Sequence, residues 1–221
     1  MADQSLKPII DRLESLFSKF NAKFYGGELQ KPIITVSPDT TKGAFGWCTG
    51  WKAWKEADDQ PADGMQQKED AGYYEINMCA EHLSRPFEQI AETLLHEMAH
   101  LFNLQNGVQD TSRGGFYHNK KYQEAAEAHG LKVEKTQKYG YSKTTLNDEA
   151  KAFVEAMQDK KFQLYRESPL KLSGAAKSKQ SSRKYVCPLC GTIIRATKEV
   201  NVVCGDCEIP FVEEEANESN V

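Results

Sequence analysis

The HEMAH sequence at residues 96–100 constrains the fold of this 221-residue chain more than any other feature. It matches the H-E-x-x-H pattern, which on a helix places two imidazoles one turn apart on one face, where both can reach the same metal ion. Apolar residues around the motif recur at helical spacing and centre on Phe87, whereas His96 and His100 fall on the opposite face. Core histidines would lie within the apolar face. The pattern therefore favours a metal-binding pair, with an exposed pair that binds no metal as the alternative.

A catalytic zinc ion usually has three protein ligands and a water molecule, so the motif needs a third ligand. The longer motif that ends in G-x-x-H is excluded, because the chain has Asn103 and Asn106 at its Gly and His positions. His118 follows a glycine-rich bend and precedes a new helix, so it could return over the motif, and we predict it as the third ligand. Acidic residues of the downstream helices are the alternative. His82 precedes the motif helix, and His129 lies at a helix C-terminus, where the helix dipole favours a cation for structural reasons.

Glu97 lies between the two motif histidines, close enough to a shared metal ion to take a proton from water. This residue set is typical of zinc-assisted peptide hydrolysis and predicts Glu97 as the general base. Such a reaction also needs a group that stabilises negative charge on the carbonyl oxygen. Tyr117, Tyr122 and Arg113 are nearest to the third ligand in sequence, but we expect each of them to be structural.

Four of the six cysteines lie close together, and these are Cys187, Cys190, Cys204 and Cys207. They form two C-x2-C pairs separated by thirteen residues, which predicts a structural zinc ribbon with four thiolate ligands. Residues that favour β-structure predict a hairpin between the pairs: Ile193, Ile194, Val200, Val202 and Val203. So small a module has little core, and we expect it to be unfolded without metal. Cys48 and Cys79 are expected to be small buried hydrophobic residues.

The net charge of −4 conceals a strong segmentation. Residues 160–200 carry ten Lys or Arg and two Glu, whereas residues 201–221 carry six acidic residues and no basic one. Tyr185 lies in this basic segment together with Arg183, Lys184, Arg195 and Lys198, a composition suited to phosphate groups and a stacked base. A solvated basic linker beside a folding module is the alternative.

Periodicity and turn residues predict four helices, over residues 6–24, 84–103, 119–128 and 147–157. They predict strands over residues 33–36, 44–51 and 74–79, and a polar loop over 55–71. The domains that follow are residues 1–167, a basic Ser/Lys-rich linker at 168–184, the zinc ribbon at 185–212 and an acidic tail at 213–221. Because neither a signal peptide nor a membrane-spanning run is visible, we expect a cytoplasmic protein, with a nuclear or nucleoid-associated one as the open alternative.

The motif and its surroundings resemble the SprT-like (Spartan-type) metalloprotease family. The resemblance rests on residues 94–101, on the Tyr-Glu-Ile-Asn strand before them and on the Gly-Gly-Phe-Tyr-His118 sequence after them, with the cysteine ribbon further on. It covers roughly residues 6–139 and the cysteine cluster. It implies a zincin-like α+β domain with a small antiparallel sheet, a catalytic zinc on His96, His100 and His118, and Glu97 as the general base.

The resemblance also implies how a substrate binds. The strand at residues 74–78 would form the edge of the cleft and take a substrate chain as an added strand. Members of the eukaryotic branch of the family cleave proteins crosslinked to DNA. That role would add DNA repair and DNA binding to the expectations for this chain.

Two functional hypotheses follow from the sequence. The first is a zinc-dependent endopeptidase with one catalytic and one structural zinc, acting on proteins or peptides that are associated with or crosslinked to DNA. The second is a nucleic-acid-binding or transcription-associated zinc-ribbon protein whose H-E-x-x-H site holds a non-catalytic metal. In both, the linker and ribbon are the expected contacts with DNA, and no membrane partner is expected.

Overall fold

The computed structural model of the protein describes residues 5–39, 43–56, 71–157, 162, 164–167 and 183–214. The chain divides into two compact units, Met1–Ser168 and Pro169–Val221. The predicted polar loop at 55–71 and the predicted linker at 168–184 lie almost wholly outside the described residues. Among the residues described, no helix combines the length and the hydrophobicity needed to cross a bilayer.

The described part of the first unit contains four α-helices, which are α1 (Lys7–Phe24), α2 (Phe87–Gln105), α3 (Lys120–Ala128) and α4 (Asp148–Ala156). Its strands are β1 (Ile33–Ser37), β2 (Gly46–Cys48), β3 (Glu75–Cys79), β4 (Thr111–Ser112), β5 (Tyr117–His118), β6 (Leu131–Thr136) and β7 (Gly140–Leu146). The predicted α+β class is confirmed, and each predicted helix is present.

Helix α2 packs against the other three helices and against both sheets of its unit. Its apolar face is completely buried and consists of Ile90, Leu94, Leu95, Met98 and Leu101. Burial of each of these side chains away from water stabilises the fold by about 1.5–3 kcal/mol. His96 and His100 are only half-buried, as the helical projection predicts for residues opposite the core.

The first sheet has the order β1-β3-β2, with β3 in the middle. Strand β2 runs antiparallel to β3, but β1 runs parallel to it, so the expectation of an antiparallel sheet is wrong for this pair. The long connection between β1 and β3 allows the chain to cross over and return in the same direction.

The second sheet has the order β4-β5-β7-β6 and contains a hairpin, β6–β7, that sequence analysis missed. Apolar and polar residues alternate only weakly along β6 and β7, because Lys, Glu and Thr occupy most of their positions. A few residues are buried along it, among them Leu131, Gly140, Thr144 and Leu146. The hairpin is held by packing on α2, α3 and α4, which a local sequence pattern does not reveal.

The described part of the second unit, residues 183–214, contains a three-stranded antiparallel sheet of β8 (Arg183–Val186), β9 (Ile193–Ala196) and β10 (Val212–Glu214), with β8 in the middle. The predicted hairpin between the two cysteine pairs is wrong. Strand β9 pairs instead with β8, because the first C-x2-C turn is itself the connection between them. The ribbon therefore begins within the predicted linker and reaches into the predicted acidic tail.

Candidate metal centres

Three histidines converge at the open face of α2. His96 and His100 lie one turn apart on that helix, and His118 comes from the end of β5. The Nε2 atom of His118 lies 3.3 Å from Nε2 of His96 and 3.1 Å from Nε2 of His100. The structure thus brings together the three residues predicted as zinc ligands. Among the described residues, no acidic side chain joins them in a potential metal-binding group.

The spacing of these nitrogens fits a zinc ion. Zn–N bonds of about 2.0–2.1 Å in tetrahedral geometry require nitrogens about 3.3–3.4 Å apart, close to the observed distances. Burial and the neighbouring charges of His100 and His118 hold the pKa of His96 well below its usual value. Burial, followed by the charge of His100, lowers the pKa of His118 to about 4. Neutral imidazoles with their lone pairs turned toward one point are the form that a metal ion binds.

The Nδ1 atoms, which point away from the shared centre, differ in their hydrogen bonds. Nδ1 of His100 lies 2.7 Å from Oδ2 of Asp110, which also accepts a hydrogen bond from the Asn103 amide. Burial would lower the pKa of His100, but the bond to Asp110 and the charge of Glu97 raise it overall. Nδ1 of His118 is buried and has no hydrogen-bond partner among the residues that the structure describes, so this residue is held through its backbone.

The backbone of His118 is fixed by the start of β7. Its N–H donates to the carbonyl oxygen of Tyr139 over 3.0 Å, and its partner in the parallel register is Gly140. Gly140 has a φ of 70°, in the left-handed region that favours glycine. The missed β6–β7 hairpin is therefore what positions the third histidine.

Tyr122 lies beside all three histidines and is completely buried. Its ring centroid is 4.8 Å from that of His96, 4.5 Å from that of His100 and 4.6 Å from that of His118. The hydroxyl is 3.5 Å from the carbonyl oxygen of His96. Tyr122 is thus an aromatic support for the cluster, consistent with the structural role expected for it.

Glu97 is 5% exposed and lies beside the histidine cluster. Burial raises the pKa of its carboxyl to about 7, with Asp110 adding to the rise, while His100 and a backbone hydrogen bond from Cys48 oppose it. Strand β2 comes this close because it begins with Gly46. A Cβ atom there would lie 2.7 Å from the carbonyl oxygen of Asn77 and 3.5 Å from Cγ of Glu97.

The three histidines and Glu97 line a cleft of about 730 Å³. Residues of β2 line one side of it and residues of β7 another, and exposed aromatic side chains lie along it: Phe45, Phe116 and Tyr139. The expectation that the strand at 74–78 forms the edge of this cleft is wrong. That strand is β3, which is paired on both sides, whereas β2 has a single partner among the described strands.

The four predicted ribbon cysteines also converge. Their sulfur atoms all lie within 4.8 Å of one another, and Sγ of Cys190 is 3.7 Å from Sγ of Cys204. Zn–S bonds of about 2.3 Å in tetrahedral geometry require a separation of about 3.8 Å. Each pair forms the same turn, since Cys187 N–H donates to Thr192 O and Cys204 N–H donates to Ile209 O, both over 2.9 Å.

An α+β domain with a three-histidine centre, followed by a four-cysteine ribbon, defines a metal-binding protein with a metallopeptidase-like domain. The chain belongs to the SprT-like family, whose family model matches residues 13–144, more than half of its length. Comparisons with curated proteins and with solved structures gave no match.

Proposed function

We propose that this protein is a zinc-dependent endopeptidase of the SprT-like type. The observation that carries the proposal is the buried Glu97 beside three convergent histidines on the wall of an open cleft. His96, His100 and His118 would hold the catalytic zinc, and the four ribbon cysteines would hold a structural one. Bound zinc supplies Lewis acidity, which polarises a peptide carbonyl and activates water.

Glu97 would carry out the proton transfers. Its carboxylate accepts a proton as the oxygen of water forms a bond to the carbonyl carbon, and it delivers that proton to the amine nitrogen as the C–N bond breaks. Burial raises the pKa of this carboxyl to about 7, and a zinc ion on the histidines would lower it, which favours the carboxylate form that accepts the proton.

Strand β2 would align the substrate. Only one of its sides is bonded to another described strand, and its residues line the cleft beside Glu97. An extended polypeptide could add to the free side as a further strand, so that its backbone passes the histidine cluster. This favours unfolded or flexible protein segments as substrates, because their backbone N–H and C=O groups are free to pair with β2, whereas those inside a folded sheet are already paired.

The test compares Glu97→Gln with Glu88→Gln on the same helix, where Glu88 is exposed. Zinc content and cleavage of a fluorescently labelled unfolded protein are measured for both variants and for the wild type. Loss of general base catalysis should lower the rate of Glu97→Gln by about 100-fold or more, while Glu88→Gln matches the wild type. Equal rates for all three proteins would contradict the proposal.

We also propose that the ribbon recruits the enzyme to DNA. Lys184 and Arg195 occupy directly opposite positions on β8 and β9, next to the exposed Ile193. Two adjacent cations suit a phosphate backbone, although the other strand partner of Lys184 is an acidic residue, Glu214 of β10. Tyr185 is 3% exposed, so the expectation that it stacks on a base is wrong.

DNA affinity is measured over a range of salt concentrations for K184Q/R195Q and for the control K120Q/K121Q on α3. The ribbon variant should bind more weakly, and the slope of log K against log salt should fall by about 2. An unchanged affinity and slope would place DNA binding elsewhere or exclude it. DNA binding by a chain that cleaves no protein would instead favour a zinc-ribbon binding protein with a non-catalytic histidine site.

A further inference from the structure

A hydroxyl and a carboxylate that sequence analysis did not single out lie behind His96. Thr144 is on β7 and is 9% exposed, and its Oγ1 atom lies 3.2 Å from Nδ1 of His96. The same hydroxyl lies 3.1 Å from Oε1 of Glu92. Glu92 is half-buried and lies one turn before His96 on α2, so the three groups form a short hydrogen-bonded chain.

The donors in this chain can be assigned from its chemistry. An ionised carboxylate only accepts hydrogen bonds, and a hydroxyl has a single proton to donate. Thr144 donates that proton to Glu92, so toward His96 it can only accept. Nδ1 of His96 must then carry the imidazole proton. This leaves Nε2 of His96 with a free lone pair, pointing to the centre that it shares with His118.

We infer that Thr144 and Glu92 are positioning residues that fix the tautomer and the ring orientation of His96 for metal binding. His100 receives the same support directly from Asp110 at 2.7 Å, whereas His96 receives it through a hydroxyl from another element. The inference rests on the metal site of the proposed function but not on peptide hydrolysis.

A purely structural role is the competing explanation, since the Thr144–Glu92 bond also joins β7 to α2. Arg85 and Glu88 act on the Glu92 carboxylate as well, the first stabilising its charge and the second opposing it. The two explanations predict different effects on the bound metal. A structural bond would affect the melting temperature alone, whereas a positioning chain would change the affinity and the spectrum of the bound metal.

The experiment uses paired variants of the full-length chain. Thr144→Val removes the hydroxyl with little change in shape, and Thr144→Ser keeps it. Glu92→Leu removes the acceptor, and Glu92→Gln keeps an amide oxygen in its place. Thr145→Val is the control, because Thr145 is the next residue on β7 and is exposed.

The readouts are zinc affinity by chelator competition and the visible absorption of the Co²⁺-substituted protein. The ribbon zinc is an internal reference, because its four ligands lie in the other unit. Loss of a group that orients a ligand typically lowers metal affinity about 10–100-fold, so Thr144→Val and Glu92→Leu should lose that much at the histidine site. Thr144→Ser, Glu92→Gln and Thr145→Val should stay within about threefold of the wild type. The double variant T144V/E92L should be no weaker than Thr144→Val, since both changes break one chain.

Wild-type affinity and an unchanged cobalt spectrum in Thr144→Val would overturn the inference. So would a loss in Thr144→Ser as large as that in Thr144→Val. A wild-type chain that binds only the ribbon zinc would overturn both the inference and the proposed function. A metal-loaded wild type that cleaves no protein would contradict the proposed hydrolysis alone.

Discussion

Gly140 offers a sharp test of how the third histidine is held in place. It opens β7 with a φ of 70° and pairs with His118 in the parallel register. A Cβ atom at this position would overlap the carbonyl oxygen of His118 and would lie 2.8 Å from the ring of Tyr117. Gly140→Ala should therefore displace His118 and with it one side of the histidine centre.

The magnitude has two parts. A non-glycine residue in the left-handed region costs about 1–2 kcal/mol. The overlap with His118 involves backbone, which no side-chain rotation can relieve, and overpacking of this kind costs about 1–3 kcal/mol more. We therefore expect the free energy of unfolding to fall by about 2–5 kcal/mol.

Gly107→Ala is the matched control. Gly107 has a φ of 65°, but a Cβ atom there would have no neighbour within 4 Å. The free energy of unfolding of Gly107→Ala should fall by only the backbone contribution of about 1–2 kcal/mol, and this variant should keep both zinc ions.

Urea unfolding and zinc content are measured for both glycine variants. Gly140→Ala should lose more stability than Gly107→Ala and should bind one zinc ion instead of two. Equal destabilisation with two zinc ions in each variant would refute the account of how β7 holds His118.

Three further predictions concern other supports of the two centres. Asp110→Ala removes the hydrogen bond behind His100 and should weaken zinc binding at the histidine site about 10–100-fold in a chelator competition, an effect that Glu127→Ala on the surface should not show. Tyr122→Phe should change the free energy of unfolding by less than about 1 kcal/mol because its hydroxyl bond is long, whereas Tyr122→Leu should lower both stability and zinc affinity by removing the ring beside the histidines. Glu208 has a φ of 55° in the second cysteine turn. Glu208→Gly should therefore relieve about 1 kcal/mol of backbone strain and tighten zinc binding by the ribbon. Unchanged or weaker zinc binding would contradict this prediction.

The sequence was most informative where short-range spacing decides the structure. Helix α2 could be predicted because its buried residues recur every three or four positions, and the same projection placed His96 and His100 away from the core. The cysteine spacing likewise fixed which four sulfurs would meet.

Long-range pairing could not be read in the same way. The parallel pairing of β1 with β3 depends on a crossover, and the polar β6–β7 hairpin depends on its packing against α2, α3 and α4. Because that hairpin was missed, Thr144 and the role of Gly140 in holding His118 were missed as well. Glu92 alone carried a local signal, its position one turn before His96.

The proposed function requires that His96, His100 and His118 hold the zinc ion on which cleavage depends. The most direct test measures zinc per chain and the cleavage rate in the same samples of wild type, His118→Ala and His129→Ala. His129 lies outside the cluster and stacks on Tyr25 at 4.2 Å, so its variant controls for the loss of an imidazole. We expect two zinc ions and cleavage in wild type and His129→Ala, but one zinc ion and no cleavage in His118→Ala. Two zinc ions and wild-type cleavage in His118→Ala would contradict the proposed function.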